Sequence, residues 1–236
     1  GRPDAGRAVL RGRRPLNISP ASQETHMPIT SFPLGPLDTN CHVIHNGTDA
    51  VAVDPGGDLN GGGLEDVLAL LKENRLVLRA IICTHFHFDH IYGVGTLHEL
   101  TDAPVYGPSG DESLLRSELG GGGAWGFPPV KPFPWSPLEE GPASFGSIDM
   151  EVLATPGHTP GSVSLHVPSM NAVLTGDLLF FHSVGRTDFP GSSQAALVKS
   201  LHKKIFILPP ETVVYPGHGP NTSVGEELAN NPYLWL

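Results

Sequence analysis

The chain has 236 residues, with 24 acidic and 14 basic side chains and a formal net charge of −10. A chain of this length can bury a sizeable core without disulfides. Its acidic balance argues against nucleic-acid binding, because phosphate contacts require clusters of Lys and Arg. No stretch approaches about 18 consecutive apolar residues, which excludes a membrane-spanning helix.

The first 26 residues differ in composition from the rest of the chain. They hold five arginines against Asp4 and Glu24, and they show no helix or strand periodicity. They also lack the apolar region of a secretory signal. We therefore predict a disordered or non-native extension over residues 1–26, with a transit peptide as the alternative. One catalytic domain is predicted over residues 27–236.

The sequence predicts a series of short strands and helices along this domain. Runs of β-formers predict strands near residues 41–45, 50–54, 76–84, 149–155, 162–167, 172–176 and 212–216. Apolar residues spaced by three and four predict helices near residues 64–74, 89–100, 110–118, 193–205 and 222–229. The 29 glycines and 24 prolines indicate many turns, as a sandwich of two sheets with short strands requires.

A Gly- and Pro-rich segment at residues 119–147 lies between the helix predicted near residues 110–118 and the strand predicted near residues 149–155. It carries four aromatic residues, Trp125, Phe127, Phe133 and Trp135. A loop this long in a compact domain is either disordered or functional. The aromatic side chains favour a wall beside the functional site, with disorder as the alternative.

Three imidazoles and one carboxylate lie within six residues, directly after the apolar run at residues 80–83. This H-x-H-x-D-H run at residues 85–90 predicts a metal site. Asp89 and His90 fall at the start of a predicted helix, where Asp taken alone is also a common N-terminal cap.

Three later segments repeat one arrangement, a short apolar run followed by Gly and a ligand-type side chain. They end in Gly157-His158, Gly176-Asp177 and Gly217-His218. Each run predicts a buried strand that stops at a turn, so the residue after the Gly is presented at the strand end. Because loops at one edge of a sandwich converge, we expect these side chains to meet the cluster at residues 85–90.

In the order and spacing of these segments the chain resembles the metallo-β-lactamase superfamily. Within it, the chain is most similar to the glyoxalase II group in its short bacterial form, which lacks a C-terminal helical domain. Further support comes from residues 39–41, 53–57, 155–162, 176–180, 185–188 and 216–220. The resemblance extends over residues 27–236 and implies a single-domain α/β fold, a four-layer αββα sandwich.

The resemblance also implies two divalent metal ions. It assigns His85, His87 and His158 to one ion, Asp89, His90 and His218 to the other, and Asp177 to both as a bridge. Imidazole and carboxylate ligands without thiolate suit zinc, with iron and manganese as alternatives. Two such ions hold a water and lower its pKa to about 7, so the predicted reaction is hydrolysis, with Asp89 and Asp177 as the catalytic carboxylates.

The predicted substrate is a small-molecule thioester of the hydroxyacylglutathione type. A thioester suits the site because its thiol departs as thiolate without a strong general acid, and no such acid is evident. Arg186 is the predicted substrate-binding residue, for a substrate carboxylate, and an ion pair with Asp188 is the equal alternative. Lactones and other esters stay open as substrates.

The main rival belongs to another reaction class. Persulfide dioxygenases resemble this chain, share the run at residues 185–188, and would here hold one Fe²⁺ on His85, His158 and Asp177. In that group the last histidine is followed by Asp-Tyr, whereas Gly-Pro follows His218, which favours the hydrolase. A metal-binding protein without catalysis would require a missing ligand, and none is missing.

The remaining polar residues of note receive structural interpretations. Asp54 is first a turn residue, and the resemblance adds a supporting role behind the metal ligands as the alternative. The two cysteines, Cys41 and Cys83, show no paired spacing and favour a reducing, cytoplasmic setting. Structural roles are assigned to His42, His45, His98, His166, His182 and His202.

Overall fold

The computed structural model describes residues 29–123 and 126–235. The predicted extension at residues 1–26 and the aromatic residue Trp125 lie outside the described residues. Within the described part of the chain, no helix has the length and apolar character needed to cross a bilayer.

The first sheet has six strands that follow one another in chain order. Its strands are β1 (Ile29–Leu34), β2 (Thr39–His45), β3 (Asp49–Val53), β4 (Val77–Ile82), β5 (Val105–Gly107) and β6 (Ser136–Pro137). The pairs from β1 to β3 are antiparallel, and those from β3 to β6 are parallel. Parallel pairing places the ends of β3, β4 and β5 at the same sheet edge.

The second sheet has six strands in the order β14-β13-β10-β9-β8-β7. They are β7 (Gly141–Phe145), β8 (Ile148–Ala154), β9 (Val163–Val167), β10 (Ala172–Gly176), β13 (Val213–Pro216) and β14 (Thr222–Ser223). Only β10 and β13 pair parallel. A separate hairpin is formed by β11 (Leu179–Phe180) and β12 (Ser183–Val184).

Within residues 29–123 and 126–235, the strands are connected by six short α-helices: α1 (Leu64–Glu73), α2 (Phe88–Ile91), α3 (Val94–Thr101), α4 (Glu118–Gly121), α5 (Gln194–Ser200) and α6 (Val224–Asn230). Three-ten helices span Ser109–Arg116, Pro168–Met170 and Pro232–Trp235, and a π-helical turn, Leu201–Ile205, extends α5. Helices α5 and α6 begin after Ser193 and Ser223, whose hydroxyls accept the N–H groups of Ala196 and Glu226.

Three apolar interiors separate four layers. Strand β3 shows why, because Ala50 and Ala52 face α1 while Val51 and Val53 face the second sheet. The opposite face of the second sheet, including Val173, packs on α5. Because side chains alternate between the two faces of a buried strand, each sheet packs against helices on one face and against the other sheet on its opposite face.

Several predicted elements differ in the structure. The predicted helix near residues 89–100 is split into α2 and α3, because Gly93 N–H donates to Pro55 O at 2.8 Å. The segment near residues 110–118 is mainly a three-ten helix, in which Asp111 N–H donates to Pro108 O. Strands β1, β5, β6, β7 and β14 and the β11–β12 hairpin were not predicted.

Candidate metal centre

Four strand ends deliver the predicted ligands to one place. The cluster at residues 85–90 follows β4 and continues into α2. His158 follows β8, Asp177 follows β10, and His218 follows β13. The structure brings all seven predicted ligand side chains together as two neighbouring groups.

His85, His87 and His158 form a three-histidine group. His87 Nδ1 lies 3.1 Å from His85 Nε2 and 2.9 Å from His158 Nε2. In two of these histidines, Nδ1 forms a hydrogen bond outside the group. His158 Nδ1 donates to Arg186 O at 2.8 Å, and His85 Nδ1 lies 3.0 Å from Thr84 Oγ1. The Nε2 atoms of these two histidines therefore present lone pairs, which suit a cation.

Asp89, His90 and His218 form the second group. Asp89 Oδ2 lies 3.6 Å from His90 Nε2 and 3.2 Å from His218 Nε2. His90 Nδ1 donates to Asp54 Oδ2 at 2.9 Å, and His218 Nδ1 donates to Leu37 O at 3.2 Å. Here too, the hydrogen bond at Nδ1 orients each ring, so that Nε2 faces the interior of the group.

Asp177 lies between the two groups. Its Oδ1 is 3.3 Å from His90 Nε2 and 3.7 Å from His218 Nε2, and its Oδ2 is 3.4 Å from His158 Nε2. Gly217 permits this arrangement, because a Cβ there would lie 2.3 Å from Asp177 Oδ1. One carboxylate thus faces both groups of ligands.

The donor set fits divalent cations. Among the described residues, His90 Nε2 and Asp177 Oδ1 are buried without a hydrogen-bond partner. Burial lowers the pKa of His90, but the carboxylates of Asp177, Asp89 and Asp54 outweigh that effect and hold the pKa well above its ordinary value. Burial and nearby imidazoles lower the pKa of His87 to about 3. The second group therefore favours positive charge, which a cation would supply, while the imidazole of His87 stays neutral.

Asp54 combines the two roles considered for it. It directly follows β3 and has a left-handed backbone, with φ of 52°. Its carboxylate accepts Thr84 N–H and Thr84 Oγ1–H at 2.7 Å each, besides the bond from His90 Nδ1. A single buried carboxylate therefore orients ligands of both groups.

Sequence reasoning missed the part that β2 plays at the site. Thr39 Oγ1 donates to Asp89 Oδ2 at 2.9 Å. Asn40 Nδ2 and His42 Nε2 both lie 3.0 Å from the carbonyl oxygen of Pro216, the last residue of β13, two positions before His218. The two contacts to Pro216 span more than 170 positions, and the only local signal was the Thr-Asn pair itself.

The two groups open into a cleft of about 650 Å³. Its walls are mostly apolar, formed by Leu37, Phe88, Leu119, Phe127, Phe180, Val184 and Phe189. Of the predicted aromatic wall, Phe127 lines this cleft. The prediction is wrong for Phe133 and Trp135, which pack against Phe86 in the first interior at ring-centroid distances of 6.4 and 5.0 Å.

Arg186 lies at the rim of the cleft with its side chain 65% exposed. Its Nε and Nη2 donate to the two oxygens of Asp188 at 2.9 and 2.8 Å. The guanidinium carbon is 4.4 Å from the centroid of the Phe189 ring. The ion pair that was the alternative to substrate binding is thus present.

Comparison with known proteins identifies the family. Residues 34–218 match the metallo-beta-lactamase superfamily. The chain belongs to this superfamily. The predicted fold class is thereby confirmed, and the chain is a metallo-hydrolase of this superfamily.

Several curated proteins and solved structures are similar to the chain. The chain is 37% identical to the probable metallo-hydrolase YqgX of Bacillus subtilis, covering 86% of this chain and 95% of that protein. It is 29% identical to the hydroxyacylglutathione hydrolase GloC of Haemophilus influenzae, and the match covers 88% of this chain and 98% of that protein. Among solved structures, the BLEG-1 B3 metallo-beta-lactamase matches with a TM-score of 0.81, 37% identity and coverage of 88% and 99%. TTHA1623 in a di-iron-bound form matches with a TM-score of 0.77, 43% identity and coverage of 87% and 100%.

Proposed function

We propose that this superfamily member is a dinuclear metallohydrolase that cleaves a small thioester of the hydroxyacylglutathione type. The placement of Asp177 carries the proposal. Its Oδ1 lies 3.3 Å from His90 Nε2, and its Oδ2 lies 3.4 Å from His158 Nε2. A carboxylate that faces both groups is suited to be a ligand shared by two ions.

The proposed ligand sets follow from the two groups. His85, His87 and His158 would hold one ion, and the second group would hold the other. Zinc is the first candidate because imidazole and carboxylate ligands suit it, and manganese suits the same donors. The di-iron-bound form of TTHA1623 supports iron as a further candidate.

Two divalent cations held there would supply an activated water and a Lewis acid for a carbonyl oxygen. The chain's own residues orient the imidazoles, and the apolar cleft walls limit the access of bulk water to the carbonyl. A thiol of pKa about 8.5 departs as thiolate, so the cleft needs no strong general acid. These features together favour thioester cleavage.

The thiol part of the substrate is proposed to reach the rim of the cleft. Arg186 is the proposed contact for a substrate carboxylate, which would compete with Asp188 for the guanidinium. The similarity to GloC supports a glutathione thioester. Lactones and other esters are alternative substrates, because the metal centre does not itself select the acyl group. A cytoplasmic location stays a prediction.

Metal content and thiol release test the proposal. In protein purified without added metal, we expect about two equivalents of metal per chain and release of thiol from S-lactoylglutathione. Asp89→Ala and His218→Ala should each lose about one equivalent and most of the activity, because each removes a ligand of the second group. His202→Ala, on the exposed side of the α5 extension, is the control and should retain both.

The same measurements address the rival reading, a mononuclear iron dioxygenase with ligands His85, His158 and Asp177. Such an enzyme would keep its iron in the Asp89→Ala and His218→Ala variants. One iron per chain, with oxygen uptake on glutathione persulfide and no thiol release from the thioester, would contradict the hydrolase proposal.

A further inference from the structure

A buried carboxylate lies behind the three-histidine group on an element that the proposed reaction does not use. Asp111 belongs to the three-ten helix Ser109–Arg116 and is 0% exposed. All three of its hydrogen-bond donors within the described residues are uncharged. Burying a carboxylate without a cationic partner is costly in free energy.

The carboxylate of Asp111 joins two ligand-bearing segments. It accepts hydrogen bonds from Phe86 N–H at 3.3 Å, Thr159 Oγ1–H at 2.7 Å and Gly161 N–H at 2.6 Å. Phe86 lies between the two histidines of the first segment, and Thr159 directly follows the histidine of the second. One side chain therefore fixes the distance between the segments that form the three-histidine group.

The backbones around Asp111 are also in close contact. A Cβ on Gly161 would lie 2.6 Å from Asp111 N, and a Cβ on Gly110 would lie 2.8 Å from Gly161 Cα. Real Cβ atoms do not approach so closely, so both positions require glycine. The three-ten helix thus has a fixed position against the loop that follows His158.

The two groups of ligands differ in their negative charge. The second group has Asp89 as well as a share of Asp177, whereas the three-histidine group has only its share of Asp177. Burial raises the pKa of Asp111, and the hydrogen bonds from Thr159, Gly161 and Phe86 oppose that rise. An ionised Asp111 would add negative charge behind the group that is poorer in it.

We infer that Asp111 is a positioning residue for the three-histidine group: it holds the two ligand-bearing segments together and adds negative charge behind the ion that they would bind. The inference rests on the proposed two-ion site. The inference predicts that Asp111 affects the binding of one ion only. A residue that merely stabilises the fold would affect both ions equally.

Zinc binding in single-site backgrounds tests the inference. Asp89→Ala disables the second group, and His158→Ala disables the three-histidine group. Zinc dissociation constants are measured by chelator competition with and without Asp111→Asn, which keeps the size of the side chain and removes its charge. We expect the constant to rise about 10- to 100-fold in the Asp89→Ala background and to stay unchanged in the His158→Ala background.

Two further variants make the test specific. Thr159→Val removes one donor to Asp111 but keeps the carboxylate, and it should cause a smaller rise in the Asp89→Ala background. Asp49→Asn is the matched control, because Asp49 also accepts three hydrogen bonds, from Arg79 Nε, Ser147 N and Ser147 Oγ, and contacts no ligand segment. It should leave the zinc constant unchanged.

The outcomes distinguish a failure of the inference about Asp111 from a failure of the proposed two-ion site. If the Asp89→Ala protein binds no zinc, the two-ion assignment fails, and the inference fails with it. If that protein binds zinc but neither Asp111→Asn nor Thr159→Val weakens binding, only the inference is overturned. Equal weakening in both backgrounds also overturns it. Thermal melting of the zinc-free variants shows whether each is folded. If Asp111→Asn does not fold, the zinc dissociation constant of Thr159→Val decides the test.

Discussion

At the scale of single residues, the ability of the site to bind a metal ion depends on the orientation of each imidazole ring. Four of its five histidines direct one ring nitrogen to a partner outside the two groups: His85 to Thr84, His90 to Asp54, His158 to Arg186 O and His218 to Leu37 O. A neutral imidazole that donates from one nitrogen must accept at the other. In their neutral forms these four imidazoles therefore direct an acceptor nitrogen toward the interior of the site, where a cation would bind.

The shared carboxylate is the residue on which the two-ion proposal depends most. We expect Asp177→Ala to lower kcat/KM by more than the roughly 100-fold that loss of a supporting contact can cause, because a ligand of both ions is removed. The fold should persist, as measured by thermal melting and circular dichroism. Asp149→Ala, an exposed aspartate on β8, is the control. Near-wild-type turnover of Asp177→Ala would rule out a shared ligand.

The side chains of the proposed ligands could be picked out from the sequence because their signal is local. Each lies in a short motif or directly after a Gly at the end of an apolar run. Asp111 and His42 carry no such signal, because their partners are tens to more than 170 positions away. Only the packing of distant segments brings these residues behind the site.

At the scale of elements, the β11–β12 hairpin forms one wall of the cleft. Phe180, Ser183 and Val184 line the cleft, a few residues after the shared carboxylate. The hairpin is held from behind by Glu227 on α6, which is 0% exposed and accepts His182 N–H at 3.0 Å. Helix α6 therefore affects the substrate cleft without touching it.

We expect Glu227→Met to loosen this wall. Methionine has a similar length but no acceptor, so His182 N–H, Thr222 Oγ1 and Asn231 Nδ2 each lose a partner. The loss should cost on the order of 2 kcal/mol in the free energy of unfolding. Denaturant unfolding measures that cost, and steady-state kinetics should show a raised KM with metal content unchanged.

Glu227→Gln is the conservative control for the hairpin. Its amide oxygen can still accept from His182 and Asn231, while its NH₂ group can donate to the Thr222 hydroxyl. Stability and KM should therefore stay close to those of the unchanged protein. If Glu227→Met also retains the original KM, the hairpin does not contribute to substrate binding.

The strands that were not predicted lie mainly at sheet edges. Strands β1, β6 and β7 are edge strands, and each contains a proline, at Pro33, Pro137 and Pro142. Proline lacks the N–H that a central strand needs but is tolerated at an edge. A sequence pattern that treats proline as a strand breaker therefore finds most of the central strands and misses these three edge strands.

At the scale of the whole molecule, the central strands determine the layered architecture. Their alternating faces bury Ala50 and Ala52 in one interior, and Val51 and Val53 in the next. The four-layer arrangement was predicted from the resemblance and is confirmed by the family match. The split between α2 and α3 was not predictable, because it depends on a bond from Gly93 to the distant Pro55.

The last prediction concerns the domain boundary. Strand β1 begins at Ile29, the family match begins at residue 34, and the three apolar interiors are built from residues within 29–235. A protein that begins at Met27 should therefore melt at the full-length temperature, bind the same metal and show the same kcat/KM. Residues 1–26 would then matter only as an address or a partner-binding segment. A loss of metal, or of more than about 1 kcal/mol in the free energy of unfolding, would mean that the Arg-rich segment packs on the domain and that the boundary is misplaced.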